Sequence, residues 1–138
     1  MMNVKERNEA KKVAIKFLHD WKSGKVEDML DSCQLTWLEN TPFHPLQFMK
    51  ERFIDALPMQ SYVIKNIEAK TDCCVDVTVM INYRVKMNRK RLIVMRLIKE
   101  LAPFEPSVDG EWGVNPISAI RTKRGGRHEQ ESCNRHAR

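Results

Sequence analysis

A chain of 138 residues, 42% hydrophobic and 30% charged, has the length of one domain and the composition of an ordinary soluble globular protein. Its apolar runs are too short to span a bilayer, and its first residues lack the apolar core of a signal peptide, so the sequence predicts a cytoplasmic protein with no membrane insertion. The formal net charge of +6 is uneven, because residues 121–138 hold six Lys/Arg against two Glu and the body is nearly balanced. That placement predicts a basic tail rather than a basic binding face.

In chain order, Ala10, Val13, Ala14, Phe17, Leu18 and Trp21 recur at helical spacing and predict a helix from near Val4 to Ser23-Gly24, where glycine suits a left-handed cap. A second, short helix is expected from Lys25 to about Ser32, with Val26, Met29 and Leu30 on one side. Gln34 to Leu38 reads as a brief extended segment and Glu39-Asn40-Thr41-Pro42 as a turn. His44-Pro45 opens a third helix, and Pro58 closes it.

Four strands follow. Met59 to Ala69 is the first, with Tyr62 and Ile64 on one side and Val63 and Ile67 on the other. Cys73 to Met87 alternates strictly, its odd positions apolar or aromatic through Tyr83 and its even positions including Asp76, Thr78, Asn82 and Arg84. Arg91 to Leu101 is apolar on both faces near its centre, as an interior strand or one against a partner would be. After an Asp109-Gly110 turn, Glu111 to about Arg121 is expected as the last strand, with Pro116 at a bulge or edge. The four cysteines, Cys33, Cys73, Cys74 and Cys133, are expected as reduced thiols, with Cys73 a small core residue. The fold class is therefore α+β: three N-terminal helices on a curved four-stranded antiparallel meander, in one domain over 1–122 with a tail over 123–138.

This order resembles the nuclear transport factor 2-like superfamily of cystatin-like folds, which includes ketosteroid isomerases, polyketide cyclases and many non-catalytic domains. The matching stretches are the long first helix with Trp21 near its end and the run Ser23-Gly24-Lys25-Val26-Glu27-Asp28-Met29-Leu30. The strand Val75–Val85 and the run Asp109-Gly110-Glu111-Trp112-Gly113-Val114 match as well. The resemblance implies a cone enclosing a pocket and a homodimer formed through sheets. It does not imply a function, since one fold serves many.

The polar candidates for a cone are His19, Asp20, His44, Tyr62, Asp76 and Tyr83. Tyr83 lies on the inward face and could reach a ligand, or be a core tyrosine with one satisfied hydroxyl. Asp76 lies on the opposite face, solvated or paired with a Lys or Arg of a neighbouring strand. His19 and Asp20 leave the apolar stripe of the first helix and are expected on the surface. The Tyr/Asp pair of the isomerases and the carboxylate–Arg–carboxylate set of the epoxide hydrolases do not assemble at matching positions. P-loop, dinucleotide and nucleophile-elbow motifs are absent, so no cofactor is implied. His128, Cys133 and His136 fit no standard zinc spacing, and no metal is expected.

Three readings of function follow. The first is a non-catalytic binding or assembly module that forms a homodimer through Ile93, Met95 and Leu97 of the doubly apolar strand and that could also engage a protein partner. The second is a small-molecule binder or enzyme whose cone takes an apolar ligand beside Tyr83, Trp112, Tyr62 and Trp37. The third is weak, non-specific nucleic-acid or acidic-partner contact through Lys123, Arg124, Arg127, Arg135 and Arg138.

Overall fold

A computed structural model of the chain describes residues 2–84 and 89–120. The basic and metal-binding candidates of the tail, Lys123 to Arg138, lie outside the described residues, as does the end of the second strand at 85–88. The architecture is α+β, with helices packed on an open antiparallel sheet.

Helix α1 (Val4–Ser23) begins on Asn3, whose side chain accepts from the Glu6 amide at 2.9 Å. It ends on Gly24 at φ 73°, the left-handed cap expected there. Its stripe of Ala10, Ala14, Phe17, Leu18 and Trp21 is fully buried. Helix α2 (Val26–Asp31) follows. Helix α4 (Pro45–Met49) starts on His44, whose Nδ1 accepts from the Gln47 amide, and continues into a π-helical turn over Lys50–Asp55.

That π turn meets the end of α1 through one side chain. A π-helical carbonyl at Phe53 would accept from residue 58, but Pro58 has no N–H. The Trp21 indole N–H takes that place, donating to the Phe53 carbonyl at 3.2 Å and the Leu57 carbonyl at 2.9 Å.

The segment expected as extended after α2 is instead a short helix, α3 (Leu35–Asn40), so four helices precede the sheet rather than three. The cause is remote. The Thr36 amide, an orphan donor of the first turn, is accepted at 3.1 Å by the buried carboxylate of Glu100, sixty-four residues away.

Strands β1 (Met59–Thr71), β2 (Cys74–Tyr83) and β3 (Lys90–Ala102) form the expected meander. An irregularity between Ile64 and Asn66 shifts the alternation of β1, and Ile67 joins Tyr62 and Ile64 against the core instead of facing away. Cys73, expected in the core, sits half-buried in the turn before β2.

Beyond β3 lie the two-residue β4 (Glu105–Pro106) and β5 (Glu111–Val114), both paired to β3. The expected last strand stops at Val114, and Pro116 opens helix α5 (Pro116–Ile120) rather than marking a bulge. Helix α5 closes the edge that β5 leaves open: Asn115 N–H donates to the Arg96 carbonyl at 2.9 Å, and Arg96 N–H donates to Ser118 Oγ at 2.8 Å.

The core lies between the helices and one face of the sheet. Val75, Val77, Val79, Ile81 and Tyr83 of β2, with Ile93, Met95 and Leu97 of β3, supply the sheet side. Cys33 is buried in this core, and its thiol is pushed up from 9.0 to about 12, first by burial and then by Asp31, with Lys16 partly opposing. A thiol that resists ionisation more in the folded than in the unfolded chain contributes stability fully below pH 9. That contribution falls away as pH rises from 9 toward 12, at no more than about 1.4 kcal/mol per pH unit. Urea melts at pH 8 and pH 10 should show Cys33→Ala losing less stability on this step than the wild type. Equal losses in both proteins would refute the assignment.

Cys33 and Cys73 are free thiols, whereas Cys74 is disulfide-bonded. This corrects the expectation of four reduced cysteines, which rested on compartment alone. Cys133 lies outside the described residues.

Candidate functional site

The interior where a cone ligand was expected is occupied by aromatic rings. Phe53 packs edge-on to Trp21 and Phe17 at centroid distances of 4.8 and 5.7 Å, and Tyr83 tilts against Trp21 at 6.3 Å. Met29, Met49 and Met59 fill the space around them, each at most 1% exposed. Burial pushes the Tyr83 phenol above its ordinary value near 10, with Arg91 partly opposing. Tyr62 packs half-buried against the same core.

Trp112 lies elsewhere, on β5. Its ring faces the buried Lys99 ammonium at 5.8 Å from the centroid, and it lines a cleft shared with Lys16, Asp31 and Glu111. Trp37 lies on α3 against Phe48. The structure therefore does not bring Tyr83, Tyr62, Trp112 and Trp37 together around one cavity.

Of the other polar candidates, Asp20, His44 and Asp76 have structural partners. His19 is exposed and His44 caps α4. Asp20, expected at the surface, is buried and accepts from Lys16 Nζ at 2.9 Å. The same ammonium donates to the Asp28 carbonyl and Ser32 Oγ, tying α1 to α2 and the residue after it. Asp76 is paired with an arginine of the neighbouring strand. Arg96 Nε and Nη2 donate to its two carboxylate oxygens at 2.7 and 2.8 Å, and both side chains are buried.

Asp76 and Arg96 stand on the sheet face away from the helices. Pairing places three side chains of that face in one row, Val63 opposite Met80 and Met80 opposite Leu92. Thr78 and Val94 form the next row. Val63 is 54% exposed, while Met80, Leu92 and Val94 are half-buried. Ile93, Met95 and Leu97 are the residues in which a dimer interface was expected. All three face the helices and are fully buried. Register accounts for this placement: Val79 lies opposite Ile93, Val77 opposite Met95 and Val75 opposite Leu97, so the three share the inward face of β2.

A groove that sequence reasoning missed lies between α3, the turn after it and the start of α5. Its volume is about 350 Å³, and its lining includes Gln34, Trp37, Asn40, Phe43, Phe104 and Asn115, with no charged residue. Gln34 is wedged against β5, where a Cβ at Gly113 would lie 2.6 Å from its Cα. Its backbone N–H donates to the Val114 carbonyl at 2.8 Å. Its side chain is 2% exposed, and Nε2 has no hydrogen-bond partner.

On the rim, Phe104 is 53% exposed and has φ 64°, a left-handed conformation rare for a bulky residue. Its N–H donates to Thr36 Oγ1 at 2.8 Å, and that hydroxyl donates in turn to Glu100. Phe43, 54% exposed, stacks on Phe48 at 5.5 Å. A signal for this site was visible only in part. Phe43 and Phe104 both sit next to prolines in segments without apolar periodicity, where a core role is not expected.

Compared with known proteins, the chain matches no protein-family model and no curated protein.

Proposed function

We propose that the chain is a non-catalytic binding or assembly module, with a fold of the nuclear transport factor 2-like kind, that pairs with a second copy through the sheet face opposite the helices of the core. The observation that carries this reading is the row Val63–Met80–Leu92, continued by Val94, which presents apolar side chains away from the helices. A partly exposed apolar row on a sheet is costly in water and gains by being covered. The resemblance in element order adds to this reading, since such folds often pair through their sheets. The structural duties of Asp20, His44 and Asp76 leave these residues occupied and favour binding over catalysis.

Sedimentation tests this. The wild type should run as a dimer at micromolar concentration. Leu92→Asp and Val63→Asp, which place a carboxylate in the row, should shift it to monomer with unchanged circular dichroism, because a charge buried without a partner costs several kcal/mol. A wild type that remains monomeric at high concentration would refute the proposal.

A second reading, a small-molecule binder, is favoured by the groove beside α3. Cytoplasmic location and phosphate contact by Lys123, Arg124, Arg127, Arg135 and Arg138 remain proposals from the sequence. No helix among the described residues is long and apolar enough to cross a membrane.

A further inference from the structure

We infer that the groove beside α3 binds a neutral, planar, carbonyl-bearing small molecule, whose carbonyl accepts from the Gln34 amide and whose ring lies against the exposed faces of Phe43 and Phe104. The inference rests on the second reading above and is independent of dimer formation.

Two features of the groove point to a ligand. The first is the Gln34 amide. A buried donor without a partner costs roughly 1–3 kcal/mol, and Gln34 keeps one, 98% buried, at a position held from both sides. Gly113 admits its backbone against β5, and its carbonyl accepts from the Leu38 amide at 3.0 Å. A leucine of similar size would fill the same place without an unmet donor, whereas the amide is available to a group that supplies an acceptor.

The second is Phe104. Its left-handed conformation is what the Pro103-Phe104 turn between β3 and β4 requires at its second position, and an aromatic residue there, where glycine fits best, presents its ring on the rim. The aromatic side chain gains little burial there, since half of it faces solvent. The Thr36 hydroxyl, anchored on Glu100, holds the Phe104 backbone in that conformation. Thr36 thereby links the end of β3 to the rim of the groove.

The lining then selects the ligand. With no charged residue around it, the groove offers no countercharge to an ionised group, whose desolvation would go uncompensated. Aromatic faces at Trp37, Phe43 and Phe104 favour a flat ring, and the side-chain amides of Gln34, Asn40 and Asn115 favour a polar group with acceptor character. About 350 Å³ lies at the small end of ligand sites, room for one or two fused rings.

The test uses the full chain and four probes: 2-quinolone and benzamide as neutral carbonyl compounds, naphthalene as a ring without an acceptor, and benzoate as the charged counterpart. Binding is followed by thermal shift and by perturbation of amide resonances. Saturable binding of 2-quinolone or benzamide is expected, with perturbations at Gln34, Phe43 and Phe104, and none with benzoate. Gln34→Leu should weaken it by about tenfold, the loss of one hydrogen bond. Phe104→Gly should also weaken it while leaving the melting temperature equal or higher, because glycine relieves the left-handed strain.

Absence of saturable binding by both carbonyl compounds at millimolar concentration overturns the small-molecule reading itself. Naphthalene binding as well as 2-quinolone, with Gln34→Leu having no effect, overturns the carbonyl assignment. Perturbations confined to residues away from α3 and Phe104 overturn the location.

Discussion

Arg96→Met should destabilise the protein by about 3–5 kcal/mol in urea or thermal melts, the cost of leaving one member of a buried ion pair without its partner. Asp76 and Arg96 are 7% and 3% exposed and joined by two short, parallel hydrogen bonds, so neither charge has water to fall back on. Removing the guanidinium leaves the Asp76 carboxylate buried. Asp76→Leu should cost a similar amount by leaving the guanidinium, whose Nη1 already lacks a partner.

The double variant Asp76→Leu/Arg96→Met should recover most of that loss, because two apolar side chains replace both charges and neither remains unpaired. The pair is shielded, so added salt should change these values little. Single variants costing less than about 1 kcal/mol would place the pair in water, as an ordinary surface bridge. A double variant as unstable as the singles would show that the pair holds β2 to β3 in a way apolar contact cannot replace.

Trp21→Ala should be comparably damaging, at about 3–5 kcal/mol, the usual cost of emptying a large aromatic site. Trp21 is 1% exposed and touches Phe17, Phe53 and Tyr83. Trp21→Phe separates its two contributions. The ring largely refills the space, but the Phe53 and Leu57 carbonyls lose the indole donor, at roughly 1–3 kcal/mol.

Restoring an N–H at residue 58 supplies the control. In the Pro58→Ala background an N–H stands at the residue that a π-helical bond from the Phe53 carbonyl would reach, and Trp21→Phe should then cost less than in the wild type. Equal costs in the two backgrounds would show that the indole hydrogen bonds add little beyond packing.

The sequence by itself determined the elements whose pattern repeats. The stripe from Ala10 to Trp21, the alternation from Val75 to Tyr83 and the Gly24 cap each encode their own structure, because helix and strand periods and a left-handed glycine act over a few residues. The face on which Asp76 stands was legible for the same reason, since alternation puts it opposite Tyr83, while its pairing rather than solvation was decided by Arg96 across the strand.

Tertiary structure decided the rest. Leu35–Asn40 is a helix because Glu100 accepts from its first turn, and no local pattern carries that bond. Ile67 faces inward because the register of β1 shifts after Ile64, and Pro116 starts a helix because β3 needs its edge closed beyond β5. Both faces of β3 read alike as sequence. Only its register with β2 assigns Ile93, Met95 and Leu97 to the core and leaves Leu92 and Val94 on the face away from the helices. The groove beside α3 was least visible of all. Gln34, Phe43, Phe104 and Asn115 come from four separate connections, and a site assembled from connections has no period for a sequence to show.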